Sequence, residues 1–225
     1  MSTPTIACPR IVVLISGNGS NLQAIIDAVA AGHIQAQISL VVSNKTKAYG
    51  LERAAQAGIP TMIKTLKPYR DAGKTRIQYD HDLALDIKST LASQKPNTSQ
   101  DSSMPDLIVL AGFMHILSPE FLSHFYPGRI INLHPALPGQ FDGAHAIERA
   151  FDSFQKGEIQ HTGIMVHKVI AEVDRGQVVL QKQVPILESD TVESLQTRIH
   201  ASEHVLLVDG IIAMLAEHAP HHESH

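Results

Sequence analysis

The sequence predicts an α/β protein: a doubly wound, mostly parallel sheet with an antiparallel C-terminal addition and a long C-terminal helix. Three observations carry this expectation. Short β-branched apolar runs recur without polar alternation, as strands buried on both faces require. Stretches with apolar residues at helical spacing separate them, which is the alternation of right-handed βαβ units. After Asn132 the order changes to two consecutive strand-like runs and one long amphipathic stretch.

Taken in order, Ile11–Ile15 (IVVLI) is the first strand. Ser20 with Gln23 three residues later is a capping-box pattern, and Leu22, Ile25, Ile26 and Val29 then share one helical face. Gly32 is placed to end that helix. Ile38–Val42 reads as a strand, Tyr49–Ala57 as a helix closed by Gly58, and Pro60–Ile63 as a short strand. A helix is expected over Ile77–Leu91, with further strands at Leu107–Ala111 and Ile130–Leu133. Ser118–Pro119–Glu120 looks like an N-cap with proline at the first helical position. Ile147, Ala150, Phe151 and Phe154 form another helical face. His161–Ile170 and Gln177–Ile186 suggest an antiparallel hairpin joined through Glu172–Gly176. Asp190 with Glu193 is a second capping-box pattern, opening a helix over Thr191–Ala216.

Composition narrows the function. The chain has 225 residues, 44% of them hydrophobic, so it can build a core, and with 4% aromatics and no Trp that core is aliphatic. A single domain is expected over 1–225, with lobes at 10–134 and 135–217; the polar, proline-flanked segment 93–105 reads as a surface insertion. The formal net charge of −4 argues against a nucleic-acid footprint. Cys8 is the only cysteine, which excludes an intrachain disulfide and a cysteine-rich zinc site. No apolar run approaches ~18 residues, so no membrane span and a cytoplasmic location are expected. His218, His221, His222 and His225 make a polar tail.

Three constellations offer chemistry. Ser16–Gly17–Asn18–Gly19–Ser20–Asn21 is a glycine loop whose last amides open a helix, where backbone N–H groups and the dipole favour an anion. Leu22 stands where a dinucleotide fingerprint has its third glycine, which favours a single phosphate. Asn132–Leu133–His134–Pro135 sends Asn132 and His134 to one side at a strand's carboxyl end, where open α/β sheets bind ligands. An amide beside an imidazole can polarise a carbonyl and stabilise an oxyanion. Asp174 in Glu172–Gly176 is either a turn residue or a carboxylate that supports a charged His134. The remaining histidines and carboxylates show no ligand-spaced cluster, so no metal is expected, and His167 and His204 read as structural. Cys8 has no visible activator.

The set IVVLISGNGSNLQAII, LIVLAGFMHILSP, INLHPALPG and VDRGQVVLQKQVPI resembles the phosphoribosylglycinamide formyltransferases over about Arg10 to Ala216. HPALPG, FDG and the insertion look most like fungal members. The resemblance implies a formyltransferase variant of the Rossmann-like fold. It also implies a purine-pathway activity: transfer of a formyl group from 10-formyltetrahydrofolate, a reduced folate, to the amine of glycinamide ribonucleotide. It implies phosphate binding by Gly19, Ser20 and Asn21, and ribonucleotide contact by Glu203 with neighbouring His200. It implies folate contact by Arg76, Met114, His115, Ile116 and Leu117, and a pterin loop at Ile170, Ala171, Glu172, Val173 and Asp174. It assigns catalysis to Asn132, His134 and Asp174, with no metal, in a monomer or weak homodimer. Many bacterial members have arginine where this chain has His115. Formyltransferases acting on methionyl-tRNA or an amino sugar lack the SGNGSNL loop. A formyltetrahydrofolate hydrolase shares the asparagine–histidine–aspartate arrangement.

Overall fold

A computed structural model describes residues 8–94 and 101–218. These residues form a seven-stranded sheet in the order β3-β2-β1-β4-β5-β6-β7. The strands are β1 (Arg10–Ile15), β2 (Gln37–Ser43), β3 (Thr61–Ile63), β4 (Leu107–Leu110), β5 (Ile130–His134), β6 (His161–Lys168) and β7 (Val178–Pro185). The first five pair in parallel; β5–β6 and β6–β7 pair antiparallel, as the late hairpin pattern predicts.

Strand alternation divides the interior in two. Ile11, Val13 and Ile15 pack with Leu22 and Ile25 of α1 (Ser20–Ala30) and with Leu195, Ile199, Leu207 and Ile211 of α7 (Val192–Glu217). Val12 and Leu14 pack on the other face with Tyr79, Leu83 and Ile87 of α4 (Arg76–Ser93) and Phe121 of α5 (Pro119–Ser123). The remaining helices are α2 (Gly50–Gln56), α3 (Lys67–Asp71) and α6 (Ala146–Gln155). By length and composition α7 could cross a membrane, but its apolar face lies inside the core.

Several local expectations shift. Gln23 does not form a capping box with Ser20. Gly19 is the N-cap, in the left-handed region at φ 77°, and the Gln23 amide donates instead to Asp27. A Cβ at Gly19 would sit 2.6 Å from Gly50 Cα, so glycine is required there. The second box lies one residue later than the pattern suggests, between Thr191 and Ser194. Asp190 is used up by Arg198, at 2.7 and 2.8 Å. Helix α3 escapes the sequence pattern because five residues with no buried face carry no periodicity. In the polar insertion, residues 95–100 lie outside the described residues, as do His221, His222 and His225 of the tail. The end of the insertion is anchored: Arg10 donates to the Ser102 carbonyl, and Met104 packs against the core.

Strand order reverses between β1 and β4, so the chain leaves their carboxyl ends in opposite directions and opens a crevice there. Ser16 ties the loops together, donating to Asn44 Oδ1 at 2.6 Å and accepting from Met114 N–H at 2.7 Å.

Candidate active site

A cleft of about 780 Å³ occupies that crevice. One end is lined by Asn21, His200 and Glu203, and the other by Arg76, Met114, His115, Ile116 and Leu117. Its floor carries Asn132 and His134, and Ile170, Glu172, Val173 and Asp174 close one side. Gly19, Ser20 and Ala171 are not part of this lining. Gly19 is turned into the loop packing against Gly50.

Asn132 and His134 leave β5 on one side, two residues apart. β6 supplies the fourth polar group, because Asn132 pairs in register with His167. A bulge between Val166 and His167 displaces the β6–β7 register at this point. Asp174 comes from the β6–β7 connection. Its Oδ2 lies 3.5 Å from His134 Nδ1, and its Oδ1 lies 3.4 Å from both His167 Nε2 and Asn132 Nδ2. Gly143 N–H donates to the same carboxylate at 2.8 Å. The connection folds so tightly that a Cβ at Gly176 would overlap the Lys168 carbonyl oxygen.

The imidazoles are oriented by carbonyls. His167 Nδ1 donates to Lys168 O at 3.0 Å, which leaves Nε2 to accept from Asn132 Nδ2 at 3.1 Å. His134 Nε2 donates to Phe141 O at 3.2 Å. The Phe141 segment is itself held, since Arg149 donates to the carbonyls of Phe141 and Asp142 and Arg175 pairs with Asp142. Phe141, His145 and Asp174 are the non-glycine residues with positive φ among the described residues, at 49°, 58° and 55°. Two of the three touch His134, so backbone strain of about 1–3 kcal/mol each is concentrated on holding that ring.

Electrostatics revise one expectation. Burial lowers the His134 pKa from its ordinary value of 6.5, and the nearby Asp174 charge only partly opposes this. The resting imidazole is therefore neutral near pH 7, not charged as the sequence reading expects. Burial also opposes ionisation of Asp174. The imidazole of His167, the Gly143 N–H and, in the acid range where a carboxyl titrates, a protonated His134 outweigh it, so the carboxyl stays below 3.8 and ionised.

Two further placements could not be read from the sequence. His115 lines the cleft, but its ring turns inward to Asp80, with Nε2 2.6 Å from Oδ1 and both side chains buried. The Ser118 N–H also donates to Asp80, at 2.8 Å, so Asp80 braces the whole 114–117 wall. Arg76 donates to the Ile116 carbonyl from the opposite side. Glu203 is 5% exposed and accepts from Asn21 Nδ2 at 3.2 Å. His167 is the residue that sequence reasoning set aside; the only signal available was its later alignment with Asn132 across the β5–β6 ladder.

Residues 9–211 match the family described as formyl transferase. The chain is 50% identical over 214 residues to a phosphoribosylglycinamide formyltransferase of Schizosaccharomyces pombe, covering 92% of this chain and 97% of the relative. It is also 50% identical over 206 residues to the enzyme of that name in Dictyostelium discoideum, covering 90% and 96%. The glycinamide ribonucleotide transformylase 1 of Symbiobacterium toebii superposes with a TM-score of 0.79 at 37% identity, over 93% of this chain and 88% of that one. With identity of this order running the length of both chains, and a matching fold, the chain belongs to the formyl transferase family and, within it, to the phosphoribosylglycinamide formyltransferases.

Proposed function

We propose that this chain transfers the formyl group of 10-formyltetrahydrofolate to the amine of glycinamide ribonucleotide, by direct attack and without a covalent enzyme intermediate. The observation that carries this reading is the meeting of Asn132, His134 and Asp174 on the floor of one cleft with two chemically different ends. The ribonucleotide end has Asn21 and Glu203. Asn21 Oδ1 is buried without a partner, an acceptor left for a ligand. Beside it, the first turn of α1 has neither a side-chain cap nor an acidic residue, which leaves its amides for a phosphate. The folate end has the apolar side chains of Met114 and Ile116, 76% and 53% exposed in the free protein, facing the Ile170–Val173 loop.

At the floor, Asn132 Nδ2 has one firm contact, to His167, and one long one, to Asp174. The hydrogen on the long contact is the one available to a developing oxyanion; His134 becomes its second stabiliser by taking up a proton, which the facing Asp174 carboxylate favours. Asp174, ionised beside His134, receives the proton that the attacking amine must shed, directly or through water, and passes it to the folate nitrogen as the carbon–nitrogen bond breaks. Holding both reactants in one cleft supplies the larger share of the acceleration. We further propose that the enzyme works in the cytoplasm.

The test is a product assay with 10-formyltetrahydrofolate and, in turn, glycinamide ribonucleotide, methionyl-tRNA, an amino sugar and water alone. Formyl transfer to glycinamide ribonucleotide only is the expected result. Formate release at equal rate without any amine would instead make the protein a hydrolase.

A further inference from the structure

We propose that His81, Glu120 and His124 form a binding site for a divalent transition metal of the zinc type, outside the cleft, which clamps α5 to α4. The three residues are 39 and 43 positions apart or one helical turn apart, so the sequence shows no ligand-spaced motif. The fold brings one donor atom of each to a common point. His81 Nδ1 lies 2.9 Å from Glu120 Oε1, His124 Nε2 lies 3.1 Å from His81 Nδ1, and His124 Nε2 lies 3.4 Å from Glu120 Oε1. Ligands ~2.0–2.2 Å from one zinc ion at tetrahedral angles stand about 3.3 Å from one another, so this triangle is already close to a coordination face. Two imidazoles and a carboxylate are the ligand set such ions prefer, and water completes the fourth position.

Proton accounting favours the same conclusion. Each ring nitrogen brings at most one hydrogen to the triangle. A hydrogen on His81 Nδ1 aimed at Glu120 leaves the His124 lone pair facing the carboxylate. A hydrogen on His124 Nε2 aimed at His81 leaves the His81 lone pair facing it at 2.9 Å. Hydrogens on both nitrogens oppose each other across 3.1 Å. One edge is always like against like, and a cation at the centre satisfies all three. The ion's effect is mechanical. His81 adjoins Asp80, which holds His115 and the Ser118 N–H, so the clamp lies directly behind the 114–117 wall of the cleft.

The test uses the full chain, stripped with a chelator and titrated with zinc chloride by calorimetry and thermal melting, beside His81→Gln and Glu120→Gln. The C-terminal histidines are common to all three proteins and cancel in the comparison. Wild type should take up one more equivalent of zinc than either variant. At about 100 times the dissociation constant its melting temperature should rise by roughly 5–10 °C, with no matching rise in the variants. Cobalt(II) should give the intense visible bands of a four-coordinate site in wild type alone, and magnesium should give no shift. If His81→Gln melts low without metal, the half-exposed Glu120→Gln carries the comparison. Equal stoichiometry and equal shifts in all three proteins would overturn the proposal and leave a histidine–glutamate ion pair only.

Discussion

At the scale of single residues, the site is a competition over one imidazole. Burial holds His134 neutral, while Asp174 Oδ2 on one side and Phe141 O on the other both favour a proton on the ring. Replacing Asp174 by Asn keeps the shape and removes the charge. Turnover should fall by about 10²–10⁴ with both Michaelis constants within a few-fold of wild type. The His134 titration, followed by NMR, should move further down. Near-wild-type turnover with an unmoved titration would reduce Asp174 to a turn residue. The same pKa directions set an acid sensitivity. A histidine whose folded pKa lies below 6.5 binds its proton more readily in the unfolded chain. Its contribution to stability is therefore complete above about pH 6.5 and is lost as the pH falls through the folded value; Asp174 adds a second loss below its own ordinary 3.8. His134→Gln should flatten the fall in urea stability between about pH 7 and pH 5 relative to wild type. Identical slopes would mean that burial does not depress this ring.

At the scale of elements, the turn proposed to bind phosphate is also a packing turn. Gly19 is left-handed, and its Cα faces Gly50 Cα across a gap with no room for a methyl group. Arg53 locks the arrangement by donating to both oxygens of Asn18. Gly19→Ala should therefore cost about 2–4 kcal/mol, combining a positive-φ penalty with an overpacking one. Gly17→Ala, which meets open space, should stay within about 0.5 kcal/mol of wild type. Comparable urea midpoints for the two variants would show that the loop yields more easily than its contacts suggest. The long elements were legible in the sequence because their signals are local: β-branched runs for β1, β2 and β4, and the 3.6-residue spacing of Leu22, Ile25 and Val29 for α1. The capping residues were misread for an equally local reason. Ser20–Gln23 and Asp190–Glu193 have the right spacing, but Arg53 and Arg198 compete for the same side chains from outside the window.

At the scale of the whole molecule, the site was legible only where chain order and space coincide. Asn132 and His134 share a strand, so alternation alone places them together. His167 looked inert because its partners belong to another strand and a remote loop. Asp80 and His115 also pair at long range, as do Asn21 and Glu203, which are 182 positions apart. That last contact joins the first helix to the last at one end of the cleft, so the proposed ribonucleotide end exists only in the closed fold. Glu203 is buried with one bond from Asn21, so truncation exchanges a lost hydrogen bond for a relieved desolvation cost. The two are similar in size, and Glu203→Ala should change the stability of the free protein by only about 1 kcal/mol. Binding should respond differently, because a carboxylate that meets a ligand in a dry site is worth about 1.5–3 kcal/mol. Glycinamide ribonucleotide at about 100 times its dissociation constant should stabilise wild type by roughly 2.7 kcal/mol, and most of that gain should vanish in Glu203→Ala at the same concentration. Melting curves with and without the ribonucleotide measure both quantities in one experiment. An undiminished ligand-induced shift would detach Glu203 from the ribonucleotide and leave it only the task of fastening Asn21.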